Sequence, residues 1–306
     1  MLGVVVNPNA NGLRRDGRLA DRLRAILGNH GALRVTHTAS ELESAIDHFA
    51  HLGCDLIATC GGDGTNLATI TQLATRLGEE HLPRLAILRG GTVNTVASNL
   101  GIHGSSEDLL QRLVERLRRG EPLPDVRQDV LVVNGNYGFL FAAAMGARFI
   151  EAYYGGPMQG VAWATALAAR TVASALVQGT FARWLFEPIP VELWADGVRQ
   201  PVERVRLLLA STVPDVGIGM KVTWQAGRVP RQLHLIASSL STTTMALQLR
   251  RVLAGEPLRG TPHLDRLAGE VEIRFAVPQT YTLDGDLFRD ARINIRCGPP
   301  IRILRP

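Results

Sequence analysis

The sequence predicts two domains: an α/β domain with a parallel sheet over residues 1–125 and a mainly antiparallel β domain over residues 126–306. Three observations predict them. Up to about residue 125, short apolar runs alternate with helix-patterned stretches, and two of those runs end in glycine turns. After Pro122-Leu123-Pro124 the pattern changes to strands separated by Gly135-Asn136 and Asp196-Gly197 turns. Alternation of the first kind implies right-handed βαβ units with ligand loops at the carboxyl ends of the strands. Asn-Gly and Asp-Gly pairs between apolar runs signal hairpins.

Taken in order, the first half predicts Val4–Val6 as strand, Arg15–Gly28 as helix, Leu33–Thr36 as strand and Glu41–Leu52 as helix. Leu56–Cys60 follows as strand, Leu67–Leu77 as helix and Leu85–Leu88 as strand, with further helices over Asn94–Leu100 and Glu107–Arg119. This is a three-layer, Rossmann-like arrangement. The second half predicts strands at Asp129–Asn134, Tyr137–Ala144, Ile189–Trp194, Val205–Ser211, Gln232–Ser238, Gly269–Phe275, Gln279–Leu283 and Arg292–Arg296. Among them lies Val161–Val177, a long apolar helix containing Arg170; it falls short of the roughly 20 residues of a membrane span and is expected to pack on the sheet. Its companion Phe181–Phe186 reads either as ordinary core or as an acyl-chain tunnel or membrane-facing lip.

With 306 residues, 46% hydrophobic, the chain exceeds one small core, which again argues for two domains. The formal net charge is +5, and every basic side chain except Lys221 is arginine. That excess suits an anionic membrane surface, nucleotide phosphates or simply a basic cytosolic protein. It is not concentrated as in nucleic-acid binders, so no nucleic-acid partner is expected; the one local cluster is Arg14, Arg15, Arg18, Arg22 and Arg24. Cys54, Cys60 and Cys297 have neither disulfide nor zinc spacing and read as reduced core thiols. The eight histidines form no metal-ligand set, His48 and His51 being a solvated helix face, and no Gly-x-Ser-x-Gly elbow is present. The N-terminus reads as a first strand rather than a signal peptide, so a cytoplasmic location is expected.

The chemistry concentrates in two loops. Leu56–Cys60 stops at Gly61-Gly62-Asp63-Gly64-Thr65-Asn66, and Leu85–Leu88 stops at Arg89-Gly90-Gly91-Thr92-Val93-Asn94. Glycines let backbone N–H groups point at an anion without Cβ obstruction, and Thr65 and Asn66 are placed to cap the following helix and donate to the same anion. The expected ligand is a nucleotide. Neither a Walker A spacing nor a glycine-rich loop with a strand lysine is present, so binding must rest on backbone N–H groups, threonines and arginines. Asn7, at the end of the first strand, is placed to touch the same phosphates, and Thr38 is a weaker candidate contact.

Four segments together resemble the diacylglycerol kinase catalytic domain superfamily, which includes bacterial lipid kinases and sphingosine kinases and is distantly related to NAD kinases. They are Val4-Val5-Val6-Asn7-Pro8 with Gly12, Gly61-Gly62-Asp63-Gly64-Thr65, Gly91-Thr92-Val93-Asn94, and Leu283-Asp284-Gly285-Asp286. The resemblance implies a β-sandwich-like second domain, an ATP site with Mg²⁺, and nucleotide and lipid meeting in a cleft between domains. The candidate nucleotide contacts are Asn7, Pro8, Thr38, Gly61, Gly62, Asp63, Gly64, Thr65, Asn66, Gly91, Thr92 and Asn94, and the resemblance assigns the general base to Asp284. A carboxylate between an apolar strand and a glycine can be aimed into a cleft; the same pair is also a plain Asp-Gly hairpin turn. Asp63 reads either as a turn-stabilising residue or as a carboxylate orienting Mg²⁺, and Asp286 is a second candidate for a metal contact.

Three departures stand out. Asp286 replaces the Glu of the family's Asp-Gly-Glu, Thr95 stands where many relatives have an acidic residue, and Val229-Pro230-Arg231-Gln232-Leu233 replaces an acidic loop that holds a structural cation. With no carboxylate left there, a cation site is not expected. The leading expectation is an ATP-dependent lipid kinase acting on a diacylglycerol-like or sphingoid hydroxyl, peripheral and transient at the inner membrane face, with a homodimer possible. The alternatives are a kinase of a soluble acceptor, as in the NAD kinases, and a nucleotide- or lipid-binding protein without turnover.

Overall fold

The computed structural model describes residues 1–10, 13, 16–158 and 160–305; Gly12, Arg14 and Arg15 of the sequence reading lie outside them. The chain divides into two compact units, Met1–Gln128 with Pro299–Pro306, and Asp129–Gly298.

The first unit is the α/β one. Its elements are β1 (Leu2–Val6), α1 (Leu19–Leu27), β2 (Gly31–Val35), α2 (Ala39–His51), β3 (Leu56–Cys60), α3 (Asp63–Leu77), β4 (Arg84–Ile87), α4 (Thr95–Asn99) and α5 (Ser106–Arg119). The sheet is parallel in the order β4-β3-β1-β2, with Leu2 opposite Gly31 on one side and Leu56 on the other. β1 and β3 are buried at every residue, as a parallel strand covered on both faces must be, which is why they read as unbroken apolar runs. Helix α1 packs on α5, and α2 packs on α3, giving the two outer layers. Helix α5 carries its own signals: Ser105 and Asp108 form a capping box, Leu109, Leu110, Leu113 and Val114 face inward, and Gly120 closes the end at positive φ.

The second unit is strand-rich and mainly antiparallel. Strand β5 (Asp125–Val133) enters it, and β6 (Asn136–Gly138) pairs back on β5 through an Asn134-Gly135 turn with both residues at positive φ. Next come β7 (Leu140–Ala144), α6 (Met145–Tyr154), α7 (Val161–Leu176) and α8 (Thr180–Leu185). Short strands β8 (Ile189–Pro190), β9 (Glu192–Ala195), β10 (Val198–Arg199) and β11 (Arg204–Val205) precede β12 (Leu207–Ser211) and β13 (Leu233–Ser238). Helices α9 (Thr242–Leu247) and α10 (Leu249–Ala254) lead to β14 (His263–Ala268) and the long pair β15 (Glu270–Leu283) and β16 (Asp286–Leu304). Neighbours run β14-β13-β12-β7-β15-β16, with β9 on the first half of β15 and a register shift between Arg274 and Gln279. The end of β16 returns to the first unit, where Ile303 pairs in parallel with Leu85 of β4.

Several expectations need correction. Helix α3 starts at Asp63, four residues before Leu67, and α1 starts at Leu19. Helices α6, α9 and α10 and strand β14 were not expected. Helix α7 does not lie directly on the sheet: α6 does, against β7, β12 and β15, and α7 packs on α6, α8 and α9 as an outer layer.

Candidate functional site

In the first unit the two glycine loops close on each other backbone to backbone. Gly90 N–H donates to the Gly61 carbonyl at 2.8 Å. A Cβ added at Gly91 would stand 2.6 Å from Gly62 Cα, and one at Gly90 would stand 2.7 Å from Gly61 N. These glycines are required by contact and not only by turn geometry. Gly62, extended, is the N-cap of α3, so Asp63, Gly64, Thr65 and Asn66 form the first turn of a 15-residue helix. The first-turn N–H groups of a helix have no intrahelical acceptor, and the helix dipole adds positive potential there. That is an arrangement for an anion, phosphate above all.

The side chains of the loops serve mainly to build them. Asn66 is buried and accepts from the Thr59 hydroxyl at 2.6 Å, and Thr65, also buried, accepts from the Asn7 amide at 3.0 Å. Neither caps α3, contrary to the sequence expectation; both anchor its first turn to the ends of β3 and β1. Asn7 is held at its other end by the Asn9 N–H, 3.0 Å from its oxygen, with half-buried Pro8 between them. Asn94 sits at φ 54° and closes its own loop: its oxygen accepts from Gly91 N–H at 2.9 Å and its amide donates to the Gly91 carbonyl at 2.8 Å, with half-buried Thr92 inside that loop. Asp63 spans the two loops, accepting from Thr95 N–H at 2.8 Å and Val96 N–H at 3.2 Å. The carboxylate thereby caps α4. Thr38 caps α2, accepting from Glu41 N–H at 3.2 Å.

In the second unit, Asp284 and Gly285 form the two-residue turn between β15 and β16, at φ 50° and 97°. The Asp284 carboxylate is aimed by backbone groups at the β6–β7 junction: Phe139 N–H lies 3.1 Å from each oxygen and Leu140 N–H 2.9 Å from Oδ1. The Asp284 N–H in turn donates to the Leu140 carbonyl at 2.9 Å. Asp286 keeps an exposed face, yet desolvation by the surrounding protein pushes its carboxyl up from the ordinary value. At the Val229–Leu233 loop one expectation is corrected: a carboxylate does reach it, since Asp129 of β5 accepts from Arg231 N–H at 2.7 Å. Among the described residues no group of three or more His, Cys, Asp or Glu side chains could hold a metal ion. Burial pushes the Cys60 and Cys297 thiols up to about 11, so both are inert core groups.

Sequence reasoning missed the partners that position these residues, Thr59 behind Asn66 and the Phe139 and Leu140 amides behind Asp284. The backbone amides carry no side-chain signal; Thr59, the penultimate residue of β3, could have been suspected as a polar residue in a buried strand.

Residues 1–121 match the model of the diacylglycerol kinase catalytic domain. No curated protein matches the chain. Among solved structures, a diacylglycerol kinase from Bacillus anthracis str. Sterne superposes with a TM-score of 0.66 at 16% identity, covering 100% of this chain and 96% of that one. Two further structures from the same strain, provisionally named diacylglycerol kinases, give TM-scores of 0.70 at 16% and 17% identity. They cover 100% of this chain and 95% and 97% of their own. At these identities the likeness establishes the shared two-domain fold.

Proposed function

We propose, for a chain that belongs to the diacylglycerol kinase catalytic domain superfamily through its residues 1–121, that it is an ATP-dependent lipid kinase phosphorylating a hydroxyl of a diacylglycerol-like or sphingoid acceptor. The observation that carries this reading is the packing of Gly61-Gly62 on Gly90-Gly91, which leaves the first turn of a long helix free of Cβ obstruction as a phosphate seat. The triphosphate lies against that turn and the Gly91–Asn94 loop. Asp284 takes the proton of the acceptor hydroxyl as its oxygen bonds to the γ-phosphorus and the bond to the bridging oxygen breaks, releasing ADP. Asp63 is committed to α4 and no carboxylate cage exists among the described residues, so the residues present do not build a protein-held metal site. Mg²⁺ would arrive on the nucleotide and would neutralise charge on its phosphates.

The test is transfer of labelled γ-phosphate from ATP to a panel of mixed-micelle lipids and water-soluble alcohols, beside Asp284→Asn. Label in one lipid class that vanishes in the variant supports the reading. Label only in a water-soluble acceptor replaces it with a soluble-acceptor kinase. Nucleotide binding without transfer selects a non-catalytic binder, a reading favoured by the ordinary hairpin turn that Asp284 occupies.

A further inference from the structure

We infer that Arg89 is a positioning residue for nucleotide binding: its side chain ties the bend after β4 to the backbone beyond α4 and so holds the Gly90–Asn94 loop in the shape that receives phosphate. Arg89 stands between two bonds that fasten the ends of neighbouring strands, Leu88 N–H to the Thr59 carbonyl at 2.8 Å and Gly90 N–H to the Gly61 carbonyl at 2.8 Å. Between them its φ is 52°. A residue with a Cβ adopts that left-handed conformation under strain, whereas glycine adopts it freely. Two glycines follow directly, yet the bend itself carries an arginine. A strained residue of this kind persists only where its surroundings over-determine it.

The side chain supplies the compensating contact. Arg89 Nη1 donates to the Ile102 carbonyl at 2.7 Å and lies 3.4 Å from His103 Nδ1. That anchor is itself fixed. Ile102 is buried and its N–H donates to the Ala97 carbonyl of α4 at 2.9 Å, while the next carbonyl, that of His103, accepts from Arg112 of α5 at 3.0 Å. Helix α4 is therefore pinned at both ends, by the Asp63 carboxylate on the Thr95 and Val96 amides and by Arg89 on the backbone just past it. The Gly90–Asn94 loop spans the distance between the two pins, and its paired glycines give it little stiffness of its own. A charge-assisted hydrogen bond that removes the open shapes of such a loop spares phosphate binding the entropy of ordering it. Among the described residues no carboxylate pairs with Arg89, so a direct action of its charge on the phosphates is the competing role. The positioning role rests on the reading of the glycine loops as a phosphate seat.

Arg89→Gly and Arg89→Asn test it, since both residues adopt positive φ readily and neither carries a side chain long enough to replace the tether. ATP and inorganic tripolyphosphate are titrated into the full chain, wild type and both variants, at low and high salt, with thermal unfolding followed alongside. Both variants are expected to unfold within a few degrees of wild type, because the relaxed backbone offsets the lost bond. Both should bind either anion about tenfold more weakly than wild type, by the same ratio at both salt concentrations. Unchanged affinity in both variants overturns the proposal, and so does a loss no larger than the accompanying loss of folded protein. A ratio that shrinks toward one at high salt also overturns it, since Arg89 then acts as a charge at the phosphates and not as a tether. Wild type that binds neither anion removes the phosphate seat and the proposal with it, whereas wild-type binding with unaltered affinity in the variants removes the proposal alone.

Discussion

Asp63 and Thr95 are joined across the two glycine loops, the Asp63 carboxylate accepting the Thr95 N–H at 2.8 Å and that of Val96 at 3.2 Å. One carboxylate thereby caps α4 from the first turn of α3, so the seat proposed for phosphate and the loop facing it hold their shape together. Asp63→Ala should cost about 1–2 kcal/mol of unfolding free energy, as loss of a charged cap does, and Asp63→Asn less, since an amide oxygen still accepts. Urea unfolding in EDTA and in Mg²⁺ checks this. A deficit that appears only with Mg²⁺ present would mark Asp63 as a metal ligand instead.

Gly91→Ala should weaken nucleotide binding and destabilise the first unit together. Its Cβ would stand 2.6 Å from the Gly62 Cα, a contact with backbone that no side-chain rotation relieves. Overpacking of this kind costs about 1–3 kcal/mol. Gly17→Ala is the control, because an added Cβ there meets nothing within 4 Å. Nucleotide titration and thermal unfolding of both variants check the pair; equal behaviour would mean that the two loops separate freely.

What was legible in the sequence is what single residues encode locally. The parallel sheet shows because β1 and β3 are buried on both faces and must be apolar throughout. The glycine loops show because only glycine fits where the chain closes on itself. The start of α3 did not show, because Gly62 and Gly64 disfavour helix and read as a turn; the helix is held there by the Thr59 to Asn66 bond, a tertiary contact. Helix α9 was hidden by three threonines of modest helix propensity, although Ser241 caps it in the ordinary way. The amides that aim Asp284 lie about 145 residues away in sequence and are backbone, so no pattern of side chains could announce them.

Acid sensitivity should localise to β13 and β14. Burial alone would raise the Asp265 carboxyl, but His234 Nε2 at 2.7 Å and Trp224 Nε1 at 3.2 Å outweigh it and hold it well below the usual carboxylate range. His263 Nε2, at 3.9 Å, is too distant for a hydrogen bond and adds only its charge when protonated. A carboxylate depressed in the folded state contributes stability that is complete above its unfolded value of about 4 and is lost as pH falls toward the folded value. Asp265→Asn should therefore be less stable than wild type at neutral pH, with the gap narrowing below about pH 4. Thermal unfolding from neutral to acidic pH checks it; a gap independent of pH would assign the loss to packing.

Asp284→Asn separates a general base from a turn residue, because asparagine before glycine is the favoured pair for this two-residue turn and tolerates the φ of 50°. One amide oxygen can still accept from Phe139 or Leu140, so unfolding free energy should change by no more than about 1 kcal/mol. An amide cannot take up the acceptor proton at neutral pH. Phosphate transfer should fall by about 10²- to 10⁴-fold, the usual worth of a positioned base, with nucleotide affinity unchanged. The two measurements belong together: a rate that falls only in proportion to lost folded protein would return Asp284 to the hairpin, whereas a large fall in a protein of wild-type stability and nucleotide affinity leaves its carboxylate as the group that accepts the proton.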